Sequence, residues 1–196
     1  MRSTLLESLG HRVEEVPLSL DERFAGDFVH YWAMLCYAVR RGGARLYDPS
    51  FDPSRLLPVT HGLADRVRRD WRRTLGTIRR LRASGAGFEA AQRGCDVLLT
   101  PTLAHLPPDL GWLGVDAPYE VLFPRVERWV SFTPLANATG APAISLPLGH
   151  DPATNLPVGT MLSGRMGDDG LLVRLALQLE AAEPFPSLAD PSLPDA

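Results

Sequence analysis

Two threonines at the end of a short apolar run are the side chains best placed to hydrogen-bond a small molecule. The run spans residues 96–100 and stops at Pro101, which is typical of a buried strand in a parallel sheet. We therefore expect its three apolar residues to be almost wholly buried. The carboxyl ends of such strands face the ligand crevice in open α/β sheets, so Thr100, Pro101 and Thr102 are predicted to line a pocket. The two hydroxyl groups can donate hydrogen bonds to a ligand, although capping of the strand is their commoner use.

Asn137 is a further polar candidate, because it precedes Gly140 and Pro142 in a tight connection. Asparagine side chains in such connections commonly bond to the nearby backbone. We interpret the Asn137 side chain chiefly as a hydrogen-bond partner of the nearby backbone. Contact with a bound substrate is the alternative.

Other catalytic and metal-binding patterns are absent from the sequence. The two cysteines, Cys36 and Cys95, lie far apart without a C-x-x-C motif and are interpreted as buried thiols. No G-x-S-x-G motif of a nucleophile elbow occurs. The five histidines lack the spacing of metal ligands: His11, His30, His61, His105 and His150. We expect neither a metal nor a cofactor.

The basic residues are all arginine, 20 in total, and the chain contains no lysine. Eight of them cluster in one predicted helix: Arg66, Arg68, Arg69, Arg72, Arg73, Arg79, Arg80 and Arg82. A basic helix can bind RNA or DNA. The net charge of -3 and the absence of interleaved aromatic residues favour a solvated helix face, so no nucleic-acid partner is expected.

The apolar periodicity alternates between helix and strand patterns along the chain. Helices are predicted over residues 3–9, 20–41, 59–93, 120–129, 132–139 and 168–180, and strands over 11–16, 96–100, 143–148 and 158–163. Gly10, the pair Gly42 and Gly43, and Gly140 are expected to end helices. Kinks are expected near Gly76 and over residues 84–87. This alternation indicates the α/β class, with a partial mixed or parallel sheet flanked by helices.

The chain carries no signal for a membrane or for secretion. No apolar run approaches the ~20 residues of a membrane span. The first ten residues lack a basic segment followed by an apolar one. We therefore expect a cytoplasmic protein without membrane contact.

Four stretches, in this order along the chain, resemble the amidase signature family. They are LLESLGHRVEEV at residues 5–16, DVLLTPTL at 96–103, FTPLANATGAPAISLPLG at 132–149 and LPVGTMLSGR at 156–165. The resemblance is closest to the branch of 6-aminohexanoate-cyclic-dimer hydrolases and covers about residues 3–183. It implies that residues 1–183 are the C-terminal portion of an amidase domain. Residues 184–196 are then a Pro-rich tail, which is predicted to be disordered.

The resemblance implies hydrolysis of a carboxamide C–N bond by a Ser-Ser-Lys triad. One serine of such a triad is the nucleophile, the second relays a proton and the lysine is the base. In the family these groups precede the stretches matched here, and this sequence contains neither a lysine nor a Gly-Gly-Ser-Ser run. Arginine cannot replace the lysine because it stays protonated. No catalytic residue is therefore assigned.

The expected function is that of an amidase fragment that lacks the N-terminal catalytic part and is inactive by itself. Its expected partners are a missing N-terminal half and a small amide substrate. Met161 departs from the family, where a glutamine is common near the glycine corresponding to Gly159, and a polar contact is lost with it. The alternative is a stand-alone, non-catalytic α/β protein that binds a small ligand or another protein.

Overall fold

The computed structural model describes residues 3–18, 20–154 and 156–185. Its α-helices are α1 (Ser3–Ser8), α2 (Phe24–Leu46), α3 (Pro58–Asp70), α4 (Thr74–Ala91), α5 (Tyr119–Val130), α6 (Pro134–Thr139) and α7 (Asp169–Ala182). Its strands are β1 (Leu98–Pro101), β2 (Ala143–His150) and β3 (Pro157–Ser163). Short 3-10 turns span Pro53–Arg55, Trp71–Arg73 and Gln92–Gly94. Residues 186–196 of the predicted tail lie outside the described residues.

The chain divides into two compact units. The first, called the sheet unit, comprises residues 1–18, 91–102 and 140–196. The second, called the helical unit, comprises residues 19–90 and 103–139. The sheet unit contains α1, α7 and all three strands, and the helical unit contains the other helices.

The sheet unit is built on strands in the order β1-β3-β2. Leu99 of β1 and Ile144 of β2 both pair with Leu162 of the central strand β3. These residues face an apolar core that also includes leucines of α1 and α7. Leu162 and Leu179 are 1% and 0% exposed, so the contact between the sheet and α7 forms the centre of this core.

The predicted α/β class is confirmed, but the strand direction differs from the expectation. Both strand pairs are antiparallel, whereas the sequence suggested a parallel or mixed sheet. The connection from β2 to β3 covers only residues 151–156, and so short a connection can join antiparallel neighbours but not parallel ones. The apolar run before Thr100 carries no information about direction.

The apolar residues 97–99 are less buried than the sequence predicts. Leu98 is 7% exposed, but Val97 and Leu99 are only half-buried against the core. β1 has four residues and pairs with β3 alone, so it is an edge strand of the described sheet. An edge strand has a strand neighbour on one side only, which explains the exposure that remains.

The helical unit is organised around α2, α3 and α5. Its core contains Ala33 at 0% exposure, Leu63 at 1% and Phe123 at 2%. The prediction that Gly42 and Gly43 end α2 is wrong, since the helix continues to Leu46. Gly43 is buried, and a Cβ atom there would overlap the Phe51 ring. Glycine at this position therefore permits close packing inside a helix.

Two other local predictions are wrong. Residues 11–16 form no strand. The long helix predicted over 59–93 is interrupted at the turn Trp71–Arg73, and not near Gly76 or over 84–87. By contrast, Gly10 and Gly140 have φ values of +88° and +74°, the left-handed conformation expected of residues that end helices.

Candidate functional site

The face of the sheet opposite the apolar core carries hydroxyl groups. Thr100 of β1 pairs with Met161 of β3, which pairs in turn with Ser145 of β2. Because side chains alternate between the two faces of a strand, this row lies opposite the row that faces the core. Thr102 is two residues beyond Thr100 and has the same parity. We call the surface that contains Thr100, Thr102 and Ser145 the hydroxyl face.

Thr102 and Ser145 meet across the central strand. Their Oγ atoms are 2.7 Å apart, and either hydroxyl can donate. The backbone N–H of Thr102 donates to the carbonyl of Gly159 at 3.1 Å. A Cβ atom at Gly159 would lie 2.8 Å from Thr102 Oγ1 and 3.1 Å from Ser145 Oγ. Glycine at position 159 therefore leaves the space in which the two hydroxyls bond.

Thr100 differs from Thr102 in the environment of its hydroxyl group. Thr100 Oγ1 is buried and has no hydrogen-bond partner within the described part of the chain. Its side chain therefore does not cap the strand. A buried hydroxyl without a partner costs about 1–3 kcal/mol. The hydroxyl group of Thr100 is buried and makes no competing hydrogen bond within the described residues.

The other two predicted site residues are Pro101 in the sheet unit and Asn137 in the helical unit. Pro101 is exposed and pairs with Thr160, so by alternation it belongs to the face opposite Thr100. Asn137 is exposed on α6 in the helical unit, where its backbone N–H donates to the Thr133 carbonyl at 3.3 Å. The described structure thus brings together Thr100 and Thr102, but not Pro101.

Ser145 is a member of the hydroxyl face that the sequence analysis did not single out. It lies within the strand predicted over 143–148, and that prediction is confirmed by β2. Its place beside Met161 depends on the pairing of β2 with β3. No pattern within β2 specifies that pairing, so the strand could be predicted while the role of Ser145 could not.

The described residues were also compared with the metal-binding and thiol chemistry considered from the sequence. No group of three or more His, Cys, Asp or Glu side chains that could hold a metal occurs among residues 3–18, 20–154 and 156–185. Cys36 is buried, and burial raises the pKa of its thiol, which disfavours the nucleophilic thiolate. Cys95 is half-buried, so the prediction of two buried thiols is correct for Cys36 only.

The helical unit contains a second polar cluster, centred on Asp27. The Asp27 carboxylate is 1% exposed and accepts hydrogen bonds from Arg80 Nη2 at 2.7 Å and Thr77 Oγ1 at 3.0 Å. Arg73 lies 3.8 Å away. The hydrogen bonds from Arg80 hold the pKa of Asp27 below its ordinary value. Two arginines of the predicted basic helix thus neutralise a buried carboxylate, and the sequence signal was an aspartate within the apolar helix α2.

His30 lies in the same unit and is 1% exposed. Its Nε2 atom is 3.1 Å from Thr74 Oγ1. Its Nδ1 atom has no hydrogen-bond partner in the described structure. Burial lowers the pKa of His30, so the ring is held neutral.

Comparison with known proteins identifies the family. The family model described as Amidase matches residues 3–173. The AmiC protein of Mycobacterium tuberculosis, whose name assigns it to the amidases, is 43% identical over 194 residues, which cover 96% of this chain and 40% of AmiC. The 6-aminohexanoate-cyclic-dimer hydrolase of Pseudomonas sp. (strain NK87) is 32% identical over 111 residues, which cover 52% of this chain and 22% of that protein.

Solved structures of amidases have a similar fold to this chain. A 6-aminohexanoate cyclic dimer hydrolase complexed with substrate has a TM-score of 0.70 at 22% identity, covering 93% of this chain and 40% of that one. A bacterial aryl acylamidase of the amidase signature family has a TM-score of 0.71 at 18% identity, covering 93% and 39%. The match of the Amidase model to residues 3–173 shows that the chain belongs to the amidase family. It spans about 40% of the length of AmiC.

No helix in the described part of the chain is long and apolar enough to cross a membrane.

Proposed function

We propose that residues 1–183 act as the C-terminal portion of a carboxamide hydrolase and supply one wall of its substrate pocket. The observation that carries the proposal is the amidase match over residues 3–173 in a chain without lysine. The matched region holds hydroxyl groups on a sheet face but no lysine that could act as the base. Its role in this proposal is to position the substrate, and the proton transfers belong to groups outside it.

The hydroxyl face suits contact with an amide. A hydroxyl can donate to an amide carbonyl or accept from an amide N–H, and Thr100 Oγ1 has no competing bond within the described residues. Thr102 and Ser145 hold each other in place at 2.7 Å. Under this proposal Thr100 contacts a small amide directly, and Thr102 maintains the shape of the wall. Pro101 and Asn137 stay predicted contacts.

We further propose that this chain alone does not hydrolyse amides. Arginine cannot serve as the base that lysine provides, because it remains protonated at any working pH. Serine hydrolases stripped of the triad retain only about 10³–10⁴-fold acceleration over water, and that remainder depends on oxyanion donors. Purified chain mixed with a panel of aliphatic and aryl amides should release amine no faster than buffer. Turnover that a single Ser→Ala change abolishes would contradict this.

The proposed partner is a segment that carries the Ser-Ser-Lys triad. β1 and β2 are the outer strands of the described sheet, and outer strands offer unpaired backbone groups to a further strand. The test mixes this chain with the part of AmiC that it does not match. Co-elution of the two and turnover by the mixture are the expected results. Failure to co-elute would contradict the pairing.

Thr100→Val in that mixture tests the pocket wall. Loss of one hydrogen bond to the substrate is expected to lower kcat/KM about tenfold, equivalent to about 1.4 kcal/mol. Thr154→Val is the matched control, because Thr154 is exposed in the connection between β2 and β3 and bonds to Asp151. Equal kcat/KM values for the two variants would show that Thr100 does not contact the substrate.

The second candidate function is non-catalytic binding by the chain alone. The observation that favours it is a cavity formed entirely by residues of the helical unit. A stand-alone protein should be a monodisperse monomer that melts cooperatively and binds no hydrophobic dye. A portion that requires a partner should expose apolar surface, bind the dye or self-associate.

A further inference from the structure

We propose that the helical unit binds a small organic oxyanion, a phosphate or carboxylate, in an arginine-lined cavity. The cavity measures about 620 Å³, within the ~300–1,000 Å³ typical of small-molecule sites. Every residue that lines it belongs to the helical unit, whereas the hydroxyl face belongs to the sheet unit. The proposal does not depend on amide hydrolysis.

Two helices and a short turn place the cationic groups around the cavity. α2 contributes Tyr37, Arg40 and Arg41, which share one helix face because the arginines are three and four residues beyond the tyrosine. α3 contributes His61 and Arg68, which are seven residues apart and also share a face. The 3-10 turn between these helices forms the remaining wall.

Arg40 is held in position before any ligand arrives. Its Nη2 atom donates to Asp65 Oδ1 at 2.8 Å and its Nη1 atom donates to the His61 carbonyl at 3.3 Å. The side chain is only 16% exposed. The hydrogen bond from Arg40 lowers the pKa of Asp65, so the carboxylate that anchors the guanidinium stays charged. A fixed guanidinium loses little rotamer freedom when it binds an anion.

Two carboxylates near the cavity are engaged within the fold. Asp65 pairs with Arg40 and lies 4.0 Å from Arg68 Nη1. The Asp52 carboxylate accepts hydrogen bonds from the backbone N–H and the hydroxyl of Ser54 at 2.9 and 2.7 Å. Neither aspartate lines the cavity itself.

Positive charge therefore exceeds negative charge around the cavity. The described lining contains three guanidinium groups and no carboxylate. The Arg41 side chain makes no ion pair or hydrogen bond within the described residues. An anionic ligand would balance the excess positive charge of the lining.

The chemistry of the lining defines the ligand class. Guanidinium groups match the oxygens of phosphate and carboxylate through paired N–H donors. Tyr37 and the ring of Pro53 offer apolar surface beside these donors. The site therefore suits an oxyanion attached to an apolar group, and phenyl phosphate and benzoate are suitable probes.

Calorimetric titration of the full chain tests the site with phenyl phosphate, benzoate and the neutral benzyl alcohol. We expect either anion to bind and the alcohol not to bind. Tighter binding of phenyl phosphate assigns the site to phosphates, and tighter binding of benzoate assigns it to carboxylates. Absence of binding by both anions at ~10 mM, a concentration at which even a millimolar Kd would be detected, would overturn the proposal.

Arg41→Ser and Arg68→Ser are the diagnostic variants. Both side chains are exposed, so each change should preserve the fold, and each should weaken binding about tenfold through loss of a charge-assisted hydrogen bond. Arg69→Ser is the matched control, since Arg69 is adjacent on α3, exposed and outside the lining. Equal weakening by Arg69→Ser would indicate general charge attraction and would overturn the site. Thermal melts of all three variants identify any loss of fold.

Discussion

The helical unit and the sheet unit use buried polar groups in different ways. In the helical unit a charged carboxylate, Asp27, is buried and neutralised by arginines. In the sheet unit one face of the sheet packs on an apolar core, and the other carries the neutral hydroxyls of Thr100, Thr102 and Ser145. The buried charge of the helical unit has its partners within the fold, whereas the Thr100 hydroxyl of the sheet unit has no hydrogen-bond partner among the described residues. Single neutral atoms without a partner among the described residues occur in both units, such as Thr100 Oγ1 and His30 Nδ1, so the difference between the units lies in how the buried charge is paired.

The largest expected effect is on the sheet unit. Leu98→Asp places an unpaired charge at a position that is 7% exposed, and it should reduce the free energy of unfolding by about 4 kcal/mol. Leu110→Asp is the control, because the same change is made at a fully exposed leucine. Denaturant unfolding measures both variants. Equal midpoints for the two would contradict the placement of β1.

Asp27→Ala tests whether the charged cluster stabilises the helical unit. The change leaves Arg80 without its carboxylate, and removal of one partner from a buried pair costs about 3–5 kcal/mol. Asp21→Ala is the control, since Asp21 pairs with Arg23 at 3.0 Å on the surface. We expect a much smaller shift of the denaturant midpoint for the control. Similar shifts would mean that the Asp27 cluster is no more important than a surface pair.

The stability of the helical unit should also depend on pH through His30. Burial lowers the pKa of His30 in the folded state, so below its ordinary value of 6.5 the unfolded chain binds a proton that the folded chain does not. The contribution of His30 to stability is therefore fully present above pH 6.5 and falls as the pH decreases below that value. One proton limits the slope to about 1.4 kcal/mol per pH unit.

His30→Gln should flatten this pH dependence between about pH 7 and about pH 5, where the carboxylates remain ionised. His11→Gln is the control, because His11 is exposed in the sheet unit and contacts Gln178. Urea unfolding at several pH values compares the variants with the parent chain. An unchanged slope for His30→Gln would assign the pH dependence to other groups.

The smallest expected effects have opposite signs on the hydroxyl face. Thr102→Val breaks the bond to Ser145 and should cost about 1 kcal/mol. Thr100→Val removes a buried hydroxyl that has no partner within the described residues, and it should stabilise the fold by about 1 kcal/mol. Thermal and denaturant melts measure both changes. Destabilisation by Thr100→Val would indicate that its hydroxyl is satisfied.

Local patterns in the sequence predicted several elements well. The helix predicted over 168–180 is α7 (Asp169–Ala182), and the strand predicted over 158–163 is β3 (Pro157–Ser163). The resemblance to the amidase signature family is confirmed by the match over residues 3–173. The absence of activity and the four predicted contact residues stay predictions. These successes share a cause, since helix periodicity and strand composition are properties of neighbouring residues.

Contacts between residues that are far apart in the sequence could not be predicted from local patterns. Gly43 permits packing against Phe51, so a glycine expected to end α2 lies within it. The partner of Asp27 is 53 residues away at Arg80, and no local pattern connects them. The kink expected in the long helix appeared instead as a turn over Trp71–Arg73, which includes an arginine that lies beside Asp27.

The sequence by itself determined the family, the α/β class and the lack of a lysine base. Tertiary structure alone decided that the strands are antiparallel, that Thr102 bonds to Ser145 and that the Thr100 hydroxyl has no partner in the part of the chain that the structure describes. The physical reason is that a hydrogen bond depends on distance in space, and the pairing of β1 and β2 with β3 sets that distance. Thr100 and Thr102 are the same residue type on the same face, and they differ in chemistry because different atoms lie across the sheet from them.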